Sequence, residues 1–131
     1  MKKGIKMTLI ILGVIILIFL AIFINHKIQL KREEKLLTPI GQLVEVDGHK
    51  MNIYIEGEGE QTIVFLSGGG TCSPVLDFKS LYSLLSDDYK VVVVEKFGYG
   101  FSDVVDKDRD VASVLADTRA ALAAAGVEGP Y

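Results

Sequence analysis

Two short glycine-rich stretches hold most of the chemistry that this 131-residue chain can offer. The first reads Ser67-Gly68-Gly69-Gly70 and the second Glu95-Lys96-Phe97-Gly98-Tyr99-Gly100-Phe101-Ser102-Asp103. Consecutive glycines let a backbone approach a ligand closely and turn its N–H groups outward. Such donors hold either a phosphate or the oxyanion of an acyl-transfer intermediate. Spacing disfavours the phosphate. A dinucleotide fingerprint running from Gly68 through Gly70 needs Gly or Ala at position 73, where the chain has Ser73, and no Gly-Lys-Ser/Thr follows for a P-loop. Glu95 stands where a ribose-binding acid would, but the fingerprint strand normally opens its fold and here other strands precede it. Without a ligand, the first stretch reads as a tight strand-to-helix turn and Glu95 as an exposed strand-end acid.

Nucleophilic catalysis needs a base beside the nucleophile. The two histidines are badly placed for it: His26 abuts an apolar run, and His49 falls in a hairpin turn ahead of the core. Both read as solvated. Cys72, the single cysteine, has no histidine in reach and reads as a small packed thiol. No metal cluster and no cofactor are implied.

The elements that position these loops follow from patterning. Two alternating runs, 44–46 and 51–55, flank Asp47-Gly48, a strong hairpin signal. The unbroken apolar run 62–66 suits a strand buried on both faces, and 91–94, four valines, suits another. Between them Ser73 caps a helix with Pro74 at its first position, presenting Val75, Phe78, Leu81, Tyr82 and Leu85 along one face. Asp110 caps a second helix over 111–125, with Val111, Leu115, Thr118, Leu122 and Ala125 facing inward and Gly126 as its stop. Strand, helix, strand, helix with short connections implies an α/β fold with parallel strands, crossover helices and an antiparallel hairpin at one edge.

Residues 7–24 are a different material. These 18 uncharged residues span about 27 Å as a helix, enough for a thin hydrocarbon core. The run ends in bulky residues where a signal peptidase needs small ones, so it reads as an uncleaved anchor contacting the lipid bilayer. The expected layout is a basic tail over 1–6, the transmembrane helix over 7–24, a charged stalk over 25–40 and a domain over 41–131. Lys2, Lys3 and Lys6 precede the run and Lys27, Lys31, Arg32 and Lys35 follow it, so charge counting does not settle the orientation. The expectation adopted is amino terminus inside, domain outside. Residues 36–131 carry 15 acids against seven basic residues, which argues against nucleic-acid binding.

In this order the elements resemble the amino-terminal half of the α/β-hydrolase family over about residues 43–131, most clearly at Gly98-Tyr99-Gly100-Phe101-Ser102-Asp103. That family usually has His-Gly-x in the first loop and Asp-x-Arg-Gly-x-Gly-x-Ser in the second. Here Ser67 replaces the His, Glu95 the Asp, and Phe97 and Phe101 the usual basic residues. The resemblance implies that the backbone N–H of Gly69 is an oxyanion donor, with Gly68 and Gly70 supplying room. It implies that Gly98, Gly100 and Ser102 shape the second loop and that Glu95 braces it.

The family's Gly-x-Ser-x-Gly nucleophile, acid and histidine have no counterpart before Tyr131. The expectation is therefore an amino-terminal piece of a hydrolase of ester, amide or related bonds, inactive alone, whose whole form takes a small-molecule or peptide substrate. The competing expectation is a membrane-tethered binding module complete in itself. It carries a cost: a small core and an unpaired valine-rich strand edge.

Overall fold

The computed structural model describes residues 2–131 and separates into two compact units, Met1–Thr38 and Pro39–Tyr131. In the first, helix α1 (Lys2–Glu33) runs without a break into a short 3₁₀ turn, Glu34–Leu36. Its apolar side chains are exposed along the whole length, and it is long and apolar enough to cross a membrane. Such a helix is consistent with a single membrane span or a signal sequence. The basic residues expected as a separate tail and stalk continue the same helix at both ends.

The second unit is an α/β fold around a four-stranded sheet. Its strands are β1 (Gln42–Val46), β2 (His49–Glu56), β3 (Thr62–Leu66) and β4 (Lys90–Glu95), in the order β1-β2-β4-β3. β1 and β2 form the hairpin. Asp47 and Gly48 both adopt positive φ, 52° and 77°, the backbone that a two-residue turn matched to strand twist requires. β2 pairs antiparallel with β4, and β4 pairs parallel with β3.

Both faces of the sheet are covered. Val44, Val46, Met51, Ile53, Val92 and Val94 point to one side and pack with Phe97, Ala121, Leu122 and Val127, beneath helix α4 (Val111–Ala124). Val91 and Val93 point to the other and pack with Val75 and Tyr82 of helices α2 (Pro74–Asp77) and α3 (Lys79–Leu85). Alternation along one strand thus feeds two layers, and every valine of β4 is fully buried.

Four expectations need correction. The valine strand is central and paired on both sides, and the edge strands of this sheet are β1 and β3. Accordingly β3 is half-buried rather than buried on both faces, and Leu66 is exposed. The single helix expected after Ser73 is two, because Phe78 (φ −92°, ψ 3°) leaves the helical region between them; Leu81 turns to solvent as a result. In α4 the inward face is Asp117, Thr118, Ala121 and Leu122, while Val111 and Leu115 are exposed. Lys107 makes that rotation tolerable by pairing with Asp117 at 2.6 Å, so that a carboxylate can lie against the sheet without losing its partner.

Candidate functional site

β3 and β4 are parallel neighbours, so the loops that follow them emerge side by side at the carboxyl end of the sheet. Glu95 is the last residue of β4, and its side chain is fully buried. Register sets it directly opposite Asn52 of β2. One carboxylate oxygen accepts from Asn52 Nδ2 at 3.0 Å and from the Phe101 N–H at 2.7 Å; the other accepts from Ser73 Oγ at 2.7 Å. Three donors from three segments converge on one buried side chain, which is how such a polar group is retained without water.

The rest of the second loop closes around that carboxylate. Gly100, at φ 50°, leaves vacant the volume that Glu95 fills: a Cβ there would lie 1.9 Å from Glu95 Oε2. Ser102 is buried; its hydroxyl donates to the Glu95 carbonyl and accepts from the Asn52 N–H at 2.9 Å. Asp103 carries the pairing with β2 past the end of β4, its N–H donating to the Lys50 carbonyl and its carboxylate accepting from the Lys50 N–H. Arg109, from the segment ahead of α4, donates to the Phe97 carbonyl and lies where a Cβ on Gly98 would fall. Phe97 itself is buried in the core, edge-on to the His49 ring.

The first loop is built oppositely. Ser67 is buried, but Gly68, Gly69 and Gly70 are exposed, and a Cβ on any of the three would meet nothing within 4 Å. The loop is tied at its two ends, both times to the second loop. Lys96 Nζ donates to the Ser67 carbonyl at 2.8 Å, and the Gly100 N–H donates to the Cys72 carbonyl at 2.7 Å. Ser73 sits at the cap position of α2 without capping it, since its hydroxyl goes to Glu95. What results is a short glycine backbone facing open space and framed by a buried hydrogen-bond network.

Among the described residues, neither histidine hydrogen-bonds to a serine or cysteine. His49 is exposed at the start of β2, and His26 is exposed on α1. Cys72 is exposed rather than packed. No group of three or more His, Cys, Asp and Glu is placed to hold a metal among the described residues. Three contributors escaped the sequence reading: Asn52, Lys96 and Arg109. Asn52 occupies a polar position of the alternating run 51–55, where alternation implies exposure, whereas it is fully buried. The other two lie in segments whose neighbours give no periodic cue.

No family model matches the chain. A Bacillus subtilis (strain 168) relative, "Uncharacterized protein YbdG", is 44% identical over 119 residues, covering 91% of this chain and 37% of the relative. Among solved structures, the meta-cleavage product hydrolase from Pseudomonas fluorescens IP01 superposes with a TM-score of 0.63 at 23% identity, over 71% of this chain and 35% of that one. An α/β-hydrolase fold protein from Burkholderia ambifaria gives 0.60 at 20% identity, over 72% and 34%. The second unit therefore has the fold of part of an α/β-hydrolase. The chain spans about a third of the length of the proteins it matches.

Proposed function

We propose that the whole protein is a membrane-anchored serine hydrolase acting on an ester, amide or related bond of a small-molecule or peptide substrate. In this reading residues 7–24 hold it in the lipid bilayer with the amino terminus inside, and residues 41–131 supply the first half of the sheet. The Gly69 N–H stabilises the oxyanion, Gly68 and Gly70 leave room for the substrate, and Glu95, Gly98, Gly100 and Ser102 fix the second loop. The nucleophile, acid and histidine come from elsewhere in the whole protein. One observation carries the reading: a bare glycine backbone at the carboxyl end of β3 faces open space while its two ends are fastened to a loop built on a buried carboxylate. Preorganised donors of that kind gain their effect from costing no rearrangement when charge develops.

The reaction implied is attack of a serine hydroxyl on the acyl carbon. Its proton passes to a histidine, negative charge gathers on the former carbonyl oxygen, and the leaving group departs protonated. Only the charge-stabilising part belongs to this chain. The test is turnover of a p-nitrophenyl ester by the whole protein. Gly69→Pro, which deletes the N–H, lowers kcat by roughly 10²–10³-fold. Gly69→Ala keeps the N–H and meets no neighbour, and it stays within a few-fold of the parent. Residues 1–131 alone give no turnover above buffer. Equal rates for the parent and Gly69→Pro, or turnover by the 131-residue chain, would sink the proposal.

A further inference from the structure

We propose that Lys96 is a positioning residue that sets the direction of the N–H groups in the Gly68–Gly70 loop by holding the Ser67 carbonyl. The inference rests on the reading of Gly69 as an oxyanion donor, and it extends the site to a residue which that reading did not include.

Ser67 is the last buried residue before three exposed glycines. Its carbonyl and the Gly68 N–H belong to one planar trans peptide, so they point in opposite directions. Lys96 Nζ, 2.8 Å from that carbonyl oxygen, therefore fixes the heading of the Gly68 N–H on the far side of the same plane. From there the next peptide, which carries the Gly69 N–H, departs. Glycine backbones resist rotation least, and the internal order of the loop is a single turn at Gly69 and Gly70 whose N–H groups donate, among the described residues, to no backbone carbonyl. That turn shapes the loop but does not fasten it to the sheet, so its heading is set by the end restraints.

The downstream restraint is a backbone bond, Gly100 N–H to the Cys72 carbonyl, which a side-chain change at position 96 does not delete. The upstream restraint is the lysine. Its ammonium is itself confined: it lies 4.8 Å from the centroid of the Tyr99 ring, a cation–π distance, and its backbone adjoins Glu95, whose carboxylate is fixed by three donors. The restraint thus runs from the Glu95 network through Lys96 to the start of the glycine loop. Lys96 touches no reacting atom in this arrangement and acts through the backbone.

The test combines two readouts on Lys96→Met and Lys96→Arg. Backbone amide order parameters of Gly68, Gly69 and Gly70 are measured by NMR relaxation on the 131-residue chain in detergent, and kcat and KM for the p-nitrophenyl ester are measured on the whole protein. Lys96→Met, which keeps the apolar stem and deletes the donors, lowers the order parameters of the three glycines below about 0.6, into the flexible range. It leaves those of β2 and β4 unchanged, lowers kcat 10- to 100-fold and moves KM less than threefold. Lys96→Arg restores the loop order and most of kcat. Unchanged loop order in Lys96→Met overturns the proposal, and so does lost order spread over the whole sheet, because the lysine would then be a general stabiliser. Lower loop order with undiminished kcat overturns the oxyanion reading of Gly69 instead, with the lysine restraint left standing.

Discussion

Gly48 and Gly100 share a left-handed backbone, with φ of 77° and 50°, yet the two positions ask different things of a methyl group. A Cβ on Gly48 meets nothing within 4 Å, so Gly48→Ala costs only the conformational penalty, about 1 kcal/mol. A Cβ on Gly100 lands inside the Glu95 carboxylate. That carboxylate cannot move aside without leaving Asn52, Ser73 and the Phe101 N–H short of an acceptor, so Gly100→Ala costs roughly 3–5 kcal/mol. Urea unfolding followed by tyrosine fluorescence checks the pair, since all five tyrosines lie between residues 54 and 131. Similar midpoints for the two variants would show that the carboxylate yields easily and that the buried network is loose. At this scale the sequence announced Gly100 by its spacing but not the reason for it. The companion of a glycine is whatever occupies its missing side chain, and here that is the residue five positions earlier.

At the level of elements, α4 shows how far patterning reaches. Its start was legible because a cap is a local device: Asp110 Oδ1 accepts from the Ser113 N–H at 2.7 Å. That bond, with the adjoining helix N–H groups, holds the Asp110 carboxyl below its usual 3.8. A depressed acid stabilises the fold fully above its unfolded value and loses that contribution as pH falls through the folded one. The cap's contribution is therefore complete above pH 3.8 and fades below it. Asp110→Asn retains an acceptor but cannot titrate, so its urea midpoint falls less steeply than the parent's from pH 4 to pH 2. Superimposable acid limbs would remove the cap from the account.

The inward face of α4 was not legible. Six alanines give the helix little apolar contrast, and its buried Asp117 owes its place to Lys107, which also reaches Asp47 in the hairpin turn at 3.0 Å. Those two bonds, Asp117's first, raise the Lys107 ammonium above its usual value. A partner ten residues away in sequence leaves no period to read. The hairpin and β4 were legible for the opposite reason: an Asp-Gly turn and four consecutive valines each specify their state locally. β3 illustrates the remaining limit. Its composition matches a central strand, but strand order depends on which neighbours the sheet supplies, and that is not written in five residues.

Over the whole chain, charge and hydropathy divide where the structure divides. The first unit is a bare apolar helix with basic ends, and the second is an acidic α/β unit with its core on both faces of one sheet. Basic residues flank the apolar run on both sides, so the positive-inside rule alone leaves the orientation open. The orientation proposed above puts Pro39–Tyr131, a long segment of the kind that translocates largely regardless of charge, on the outer side. The single cysteine makes this measurable without altering the chain: Cys72 is exposed and lies in the second unit. A membrane-impermeant maleimide added to intact cells labels Cys72 to the same extent as it does after lysis, and Cys72→Ser abolishes the signal. Labelling that appears only after lysis would reverse the orientation and place the glycine loop, with whatever substrate it serves, on the cytoplasmic side.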